Sequence, residues 1–285
     1  MSVSGILAGT AVAEGLGHRD RILFWLTILT TLAYQVTSNF ANDYGDGVKG
    51  TDNDDRLGPV RALQSGALSR SSLKRGVIAA AGISALLTLL TLWRAFGSAH
   101  LGYLFLFLLL GGFAIWAAIR YTVGTGAYGY RGLGDLFVFL FFGILSVMGT
   151  QFLYTRQLPA DAWLPAVSIG ALATAVLNLN NLRDRASDQA AGKHTLIVKI
   201  GYENGRRYHT VLCTLAFIAM GYYAAVQEAA WPLTLCLLPF AVIGLHLKKL
   251  WRIRQPAELD PELKKVALST FAAALLLYLT NHYFL

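Results

Sequence analysis

Two short groups of Asn and Asp residues follow long apolar segments and could together bind a divalent cation. The first group is Asn39, Asp43 and Asp46, and the second contains Asp184 and Asp188. On a helix, the spacings i, i+4 and i+7 of the first group, and i and i+4 of the second, place each group on one face. Charged groups at membrane depth are costly and are retained for function. The pattern therefore predicts two facing carboxylate groups that form a site for hard divalent cations.

A loop that combines glycine with basic residues follows each acidic group. Gly47, Lys49 and Arg61 come after the first group, and Gly192 and Lys193 come after the second. Glycine allows close backbone approach, and Lys or Arg can pair with phosphate oxygens. Mg²⁺ is bound by few carboxylates together with phosphate oxygens and water. The loops and acids therefore favour Mg²⁺, with Mn²⁺ as an alternative, bridging a lipid diphosphate.

The elements that must position these groups are membrane helices. The chain is 55% hydrophobic and 14% charged, against about 25% charged residues in soluble domains, and its mean hydropathy is +0.50. Taking about 20 residues for one span, we expect a single all-α transmembrane domain over residues 1–285 with about nine helices. The apolar segments lie near 3–17, 21–42, 73–95, 99–119, 134–155, 161–180, 208–226, 230–248 and 265–285.

The positions of Lys and Arg predict the orientation. Of the 24 basic residues, 20 lie in the loops after the second, fourth, sixth and eighth segments, which also carry both acidic groups. Because cytoplasmic loops collect Lys and Arg, this face is predicted to be cytoplasmic. We therefore expect a multi-pass protein of the cytoplasmic (inner) membrane with its amino terminus inside the cell.

The net charge of +8 has the same explanation. The positive charge indicates how the chain is oriented in the membrane and suits binding to anionic membrane lipid or phosphate. No segment of the sequence resembles a nucleic-acid-binding module. We therefore expect no nucleic-acid partner. No pattern in the sequence specifies an oligomeric state.

Four blocks of the sequence, in order along nearly the whole chain, resemble one family. They are Asn39–Asp46, Gly58–Gly66, Tyr130–Gly143 and Asn180–Leu196. Their paired Asp motifs resemble those of the UbiA superfamily of membrane prenyltransferases, and the full set resembles its menaquinone branch, which prenylates 1,4-dihydroxy-2-naphthoate. The acidic run at 52–55 departs from that pattern, which leaves open whether Asp52, Asp54 or Asp55 binds metal.

The resemblance implies a reaction and a role for each acidic residue. A polyprenyl diphosphate is ionised to an allylic cation that alkylates the aromatic ring, with loss of CO₂ and diphosphate, giving demethylmenaquinol. Two Mg²⁺ ions would neutralise the leaving group. One ion is assigned to Asn39, Asp43 and Asp46, and the other to Asp184 and Asp188. The four aspartates, together with Tyr121, are thus the expected catalytic residues.

Further residues are candidates for substrate binding. Arg61, Arg183 and Lys193 are expected to contact phosphate oxygens. The other candidates are Asn181, Tyr130 and Gln64. An aromatic face could steady the allylic cation; among the four candidates, Tyr34, Tyr44, Tyr121 and Tyr130, we favour Tyr121 because it ends a helix on the predicted cytoplasmic face.

Three other residues admit simpler explanations. Asp135 follows Gly134 at the start of a predicted helix, where an acid either stabilises the N-terminal dipole or contacts substrate. His209 and His246 are predicted to be interfacial residues without a specific role.

Two classes of alternative function stay open. A prenyltransferase for another aromatic acceptor, such as 4-hydroxybenzoate, homogentisate or a porphyrin, would use the same mechanism. A CDP-alcohol phosphotransferase would need all its aspartates in one tandem stretch, whereas here they form two groups far apart in the chain. A cation-coupled transporter would also use intramembrane aspartates. It would place them near mid-span, however, whereas these residues stand at the predicted helix ends.

Overall fold

The computed structural model describes residues 1–50, 61–227 and 230–284, and within these ranges the chain forms helices and no strands. The prediction of an all-α protein is confirmed. Gly58, Pro59 and Val60, as well as Asp52, Asp54 and Asp55, lie outside the described residues.

Helices of the described chain overlap the predicted apolar segments. We label the helices α1 (Ser2–Gly15), α2 (Arg21–Lys49), α3 (Arg70–Phe96), α4 (Leu101–Arg120), α5 (Gly134–Thr155), α6 (Trp163–Arg183), α7 (Arg185–Ala190), α8 (Leu196–Ile200), α9 (Tyr202–Val226), α10 (Trp231–Leu250) and α11 (Leu259–Phe284). Within α5, Phe139–Met148 has π-helical geometry, and α10 contains a 3₁₀ turn over Thr234–Leu237.

Seven helical stretches of the described chain are long and apolar enough to cross a membrane. They are α3, α4, α5, α6 with the turn before it, α9, α10, and α11 with the turn before it. The protein is therefore a multi-pass membrane protein. The remaining two predicted spans fall on α1, which has 14 residues, and on α2, which has 29 and ends in the first acidic group. The count of nine spans and the cytoplasmic face stay predictions.

The described chain divides into two compact units, and the first comprises Met1–Asp20, Asp135–Arg183 and Ile200–Leu285. Here α6 packs against α5 and α9, and α1 packs against α11. Every residue of α1 from Ser4 to Glu14 is buried. Small residues allow the close packing, since a Cβ added at Gly143 would lie 2.6 Å from the Ala166 carbonyl oxygen.

A buried polar network also joins α9, α10 and α11 in this first unit. The Nε2 atoms of His209 and His246 are 2.9 Å apart, and His246 Nδ1 lies 2.9 Å from Glu262 Oε2. Lys249 and Lys265 pair with the other Glu262 oxygen at 2.9 and 2.7 Å. The expectation that the two histidines are interfacial is wrong, because both are almost fully buried and pair with each other.

The second unit comprises Arg21–Gly134 and Asp184–Lys199. Hydroxyl pairs hold α2 to α3: Thr30 to Thr91 at 2.8 Å, Tyr34 to Thr88 at 2.9 Å, and Thr37 to Ser84 at 3.0 Å. These pairs satisfy polar groups within the helix interface. They also give Tyr34, one of the candidate aromatic residues, a packing role.

Candidate functional site

The first acidic group lies on the last three turns of α2, where a basic residue from the following loop contacts it. Arg61 Nη1 lies 3.5 Å from Asp43 Oδ1, and its Nη2 lies 3.7 Å from Asp46 Oδ2. The backbone N–H of Ala62 donates a hydrogen bond of 3.3 Å to Asp43 Oδ2. The side chain of Asp46 is almost fully buried, at 4% exposure. The structure thus brings three of the predicted residues together.

Tyr130 links this acidic group to the second one. Its hydroxyl donates a 2.8 Å hydrogen bond to Asp46 Oδ1. Its backbone oxygen accepts a 3.1 Å hydrogen bond from the N–H of His194, in the loop after α7. Two ammonium groups approach its ring, Lys49 Nζ at 3.8 Å and Lys193 Nζ at 5.5 Å from the centroid. Tyr130 therefore contacts basic residues that follow each of the two acidic groups.

The second acidic group lies at α7 in the same unit. Asp184 immediately precedes this helix, and Asp188 is buried within it. Lys193 Nζ lies 3.6 Å from Asp188 Oδ1. Burial raises the pKa of Asp188 to about 6; Lys193 opposes that rise, and the carboxylates of Asp184 and Asp46 add to it. The two acidic groups are therefore close enough for Asp46 and Asp188 to repel each other.

This repulsion is what a bound cation would relieve. Asp46 and Asp188 are both buried, and only oxygen ligands and cationic side chains surround them among the contacts described above, which suits Mg²⁺ better than a metal that prefers sulfur or nitrogen. In the described part of the chain, no group of three or more His, Cys, Asp or Glu side chains is arranged to hold a metal ion by itself. A Mg²⁺ ion at these acids would take its remaining oxygen ligands from water or from a phosphate group, as is usual for Mg²⁺.

The loop after α4 packs against the end of α2. A Cβ at Gly45 would lie 2.7 Å from the backbone carbon of Thr122, and Thr122 Oγ1 donates a 3.0 Å hydrogen bond to the carbonyl oxygen of Ala41. Tyr121, which caps α4, has its ring 5.3 Å from that of Tyr128 in an edge-on arrangement. Close backbone contact therefore fixes Tyr121 relative to the acidic end of α2.

The remaining predicted residues have varied surroundings. Asn39 is exposed and accepts a 3.0 Å hydrogen bond from Gln35, while Gln64 Oε1 accepts one of 3.4 Å from the backbone N–H of Arg61. Asn181 and Arg183 lie near the end of α6, in the first unit. Both are buried. Arg183 is paired there with Asp260 at the start of α11.

Asp135 also belongs to the first unit. It is buried in the first turn of α5, where the hydroxyl of Tyr208 hydrogen-bonds to its carboxylate. Its contact with α9 shows an interhelical role that the sequence did not indicate.

Lys49 is a site residue that the sequence reasoning left without a specific role. It lies three residues after Asp46 on α2, so the two side chains share a face. Its Nζ makes a cation–π contact with the Tyr130 ring. In the sequence, the i, i+3 spacing from Asp46 indicates that Lys49 lies beside this acid. The contact with Tyr130 depends on a residue 81 positions later and had no local signature.

Comparison with known proteins gives a consistent result. The model of the UbiA prenyltransferase family matches residues 2–271. The chain is similar to two proteins named 1,4-dihydroxy-2-naphthoate octaprenyltransferase. The one from Haemophilus influenzae is 41% identical, over 94% of this chain and 87% of its own length. The one from Escherichia coli is 39% identical, over 98% and 90%.

A solved structure shares the fold. A UbiA homolog from Archaeoglobus fulgidus, bound to GPP and Mg²⁺, superposes with a TM-score of 0.64 at 15% identity and covers 97% of this chain and 95% of that one. At this identity the likeness concerns the fold.

Proposed function

This chain belongs to the UbiA prenyltransferase family, and on that basis we propose that it transfers a polyprenyl group from polyprenyl diphosphate to 1,4-dihydroxy-2-naphthoate. The observation that carries the proposal is the identity of 41% and 39%, over nearly the whole chain, with two proteins named for that activity. Diphosphate and CO₂ leave, and the product is demethylmenaquinol. The reaction takes place in the cytoplasmic (inner) membrane, with the amino terminus and the site on the cytoplasmic side.

The acidic groups hold the metal in this proposal. Asn39, Asp43 and Asp46 bind one Mg²⁺, and Asp184 and Asp188 bind the other, with Mn²⁺ as a substitute. When bound, Mg²⁺ supplies positive charge that neutralises the departing diphosphate. The neighbour that is bound to GPP and Mg²⁺ supports the choice of cation, as does the mutual repulsion of Asp46 and Asp188.

Basic side chains of the two loops then bind the diphosphate. Arg61 and Lys193 contact the carboxylates directly, so a phosphate oxygen held near these acids would be within their reach. A guanidinium can donate two parallel hydrogen bonds to phosphate, and an ammonium acts as a compact charge. Arg61 orients the leaving group, and Lys193 adds charge at the second acidic group, while Asn181, Arg183 and Gln64 stay secondary candidates.

The aromatic residues divide into two roles. Tyr130 donates its hydroxyl to Asp46 and has ammonium groups on its ring, so it orients a carboxylate and is poorly suited to a carbocation. Tyr121 caps α4, and its edge-on packing with Tyr128 fixes the orientation of its ring. Its face is our candidate for steadying the allylic cation and keeping water away.

The experiment measures product formation by the purified protein in detergent. Prenylated product should form from 1,4-dihydroxy-2-naphthoate and a polyprenyl diphosphate with Mg²⁺, and should disappear with EDTA. Asp43→Ala and Asp184→Ala should each abolish it, while Asp161→Asn, which alters a residue paired with Gln227 in the first unit, should retain it. Prenylation of 4-hydroxybenzoate alone would overturn the acceptor, and absence of product from every acceptor would overturn the enzyme.

A further inference from the structure

A dense group of basic side chains lies on the turn between α10 and α11 and on the flanking ends of these two helices, far along the chain from both acidic groups. Six Lys and Arg residues occur within 18 positions, and all six are exposed. They are Lys248, Lys249, Arg252, Arg254, Lys264 and Lys265. We call this surface the basic turn.

The acidic residues of the same segment already form ion pairs or hydrogen bonds within the protein. Glu262 is buried between Lys249, Lys265 and His246. Asp260 pairs with Arg183, and Glu258 accepts a hydrogen bond from the backbone N–H of Gln255 in a capping box. No ion pair to Lys248, Arg252, Arg254 or Lys264 is recorded within the described ranges. The basic turn therefore presents at least four positive charges outward.

The turn is held in a fixed conformation. Leu250, Ile253 and Leu259 are buried beneath it. Arg206 of α9 donates to the carbonyl oxygens of Leu250 and Trp251, at 3.5 Å each, and its guanidinium lies 4.8 Å from the centre of the Trp251 ring. Because the backbone is held in place, the charges can bind a ligand without the cost of ordering the loop.

The neighbouring residues indicate the depth of the turn in the membrane. Leu245 and Leu268, on the two helices that flank it, are 66% and 67% exposed, as expected where acyl chains cover a helix. Trp251 is 44% exposed at the end of the α10 span, and Trp commonly sits at the level of the lipid head groups. Lys248, Lys249, Arg252 and Arg254 all lie within three positions of Trp251, so they too are at head-group level.

We propose that the basic turn is a binding site for the head groups of anionic phospholipids. The complementary charge is the lipid phosphate, and the adjacent exposed leucines accommodate the acyl chains of the same molecule. Clusters of Lys and Arg next to a membrane helix attract anionic lipid through this combination. This proposal does not depend on the proposed catalytic function.

The test measures lipid retention by native mass spectrometry of the purified full chain, offered phosphatidylglycerol or phosphatidylcholine in the same detergent. Arg252→Gln, Arg254→Gln and Lys264→Gln are combined in one variant. The matched control combines Arg70→Gln, Lys74→Gln and Arg75→Gln, which removes the same charge and the same residue types from the exposed start of α3.

We expect the basic-turn variant to retain about tenfold less phosphatidylglycerol than the native chain, with phosphatidylcholine unchanged and the control variant near native. Equal losses in both variants would show an effect of net charge alone and overturn the proposal, as would no loss in either.

A third arm adds inorganic diphosphate in excess. Displacement of phosphatidylglycerol by it would assign the turn to a free phosphate ligand and overturn the proposal, and retention supports the phospholipid. Melting temperatures confirm folding, and the single variant Arg252→Gln, with Arg75→Gln as its control, replaces the triple variant if that one does not fold.

Discussion

The hydroxyl of Tyr130 donates a 2.8 Å hydrogen bond to Asp46, a residue 84 positions earlier in the chain. The acceptor is a buried carboxylate that Arg61 also contacts. The same tyrosine accepts a backbone hydrogen bond from the loop that carries Lys193. The side chain of Tyr130 thus fixes the orientation of an acid in the first group, and its backbone oxygen anchors the loop of the second.

Replacing Tyr130 with Phe should weaken the Mg²⁺ binding that supports activity more than it lowers the stability of the fold. A hydrogen bond to a charged group contributes about 1.5–3 kcal/mol, so we expect the Mg²⁺ concentration for half-maximal activity to rise about tenfold or more. Titration of prenyl transfer with Mg²⁺ measures this. Tyr128→Phe is the control, because its hydroxyl donates to the backbone oxygen of Ala117. An equal rise in both variants would contradict a specific role for Tyr130.

Lys193→Met should weaken the binding of the prenyl diphosphate. The ammonium group balances Asp188, and without it both the acid and a bound phosphate lose a positive partner, so KM for the prenyl diphosphate should rise about tenfold. KM for the aromatic acceptor should change little. Steady-state kinetics with each substrate varied in turn separates the two effects.

The control for this variant is Lys199→Met in the same unit. Lys199 is exposed, and its Nζ donates to the backbone oxygen of Arg131. A parallel rise in both KM values after Lys193→Met, or the same rise after Lys199→Met, would indicate a general disturbance of the loop.

The sequence predicted the parts of the site that depend on helical periodicity. Asp43 and Asp46 share one face of α2, as their spacing predicts, whereas Asp184 immediately precedes α7 with non-helical backbone angles, so the helical spacing assumed for Asp184 and Asp188 is interrupted. The sequence pattern predicted that the two acidic groups face each other, but no local pattern encodes the approach of α7 to the end of α2.

Contacts between distant polar residues could not be predicted in the same way. His209 and His246 are 37 positions apart, and the charged residues within three positions of either one are all basic, so they do not indicate that the two histidines pair. Helix α1 is apolar on all sides, so periodicity could not distinguish a face toward lipid from one toward protein. Its burial follows from packing against α11 and α5.

Glu262→Ala should destabilise the first unit strongly. Glu262 is buried, and its removal leaves His246, Lys249 and Lys265 without their shared acceptor. Breaking a buried ion pair on one side costs about 3–5 kcal/mol, and we expect a clear fall in melting temperature in detergent. Glu203→Ala removes the ion pair between the exposed Glu203 side chain and Arg206, where only a small loss of stability is expected. Similar melting temperatures for the two variants would refute the structural role of the network.

Gly143→Ala tests the close packing of α5 on α6. The added Cβ would lie 2.6 Å from both the Ala166 carbonyl oxygen and the Gly170 Cα, and backbone atoms cannot move aside as a flexible side chain can. We expect destabilisation of about 1–3 kcal/mol from overpacking. Gly221→Ala in α9 is the matched control, since nothing lies within 4 Å of its added Cβ. There the better helix propensity of Ala should stabilise by up to about 1 kcal/mol, so the two substitutions should shift the melting temperature in opposite directions. A shift of the same sign at both positions would mean that the π-helical segment of α5 adjusts to admit the methyl group.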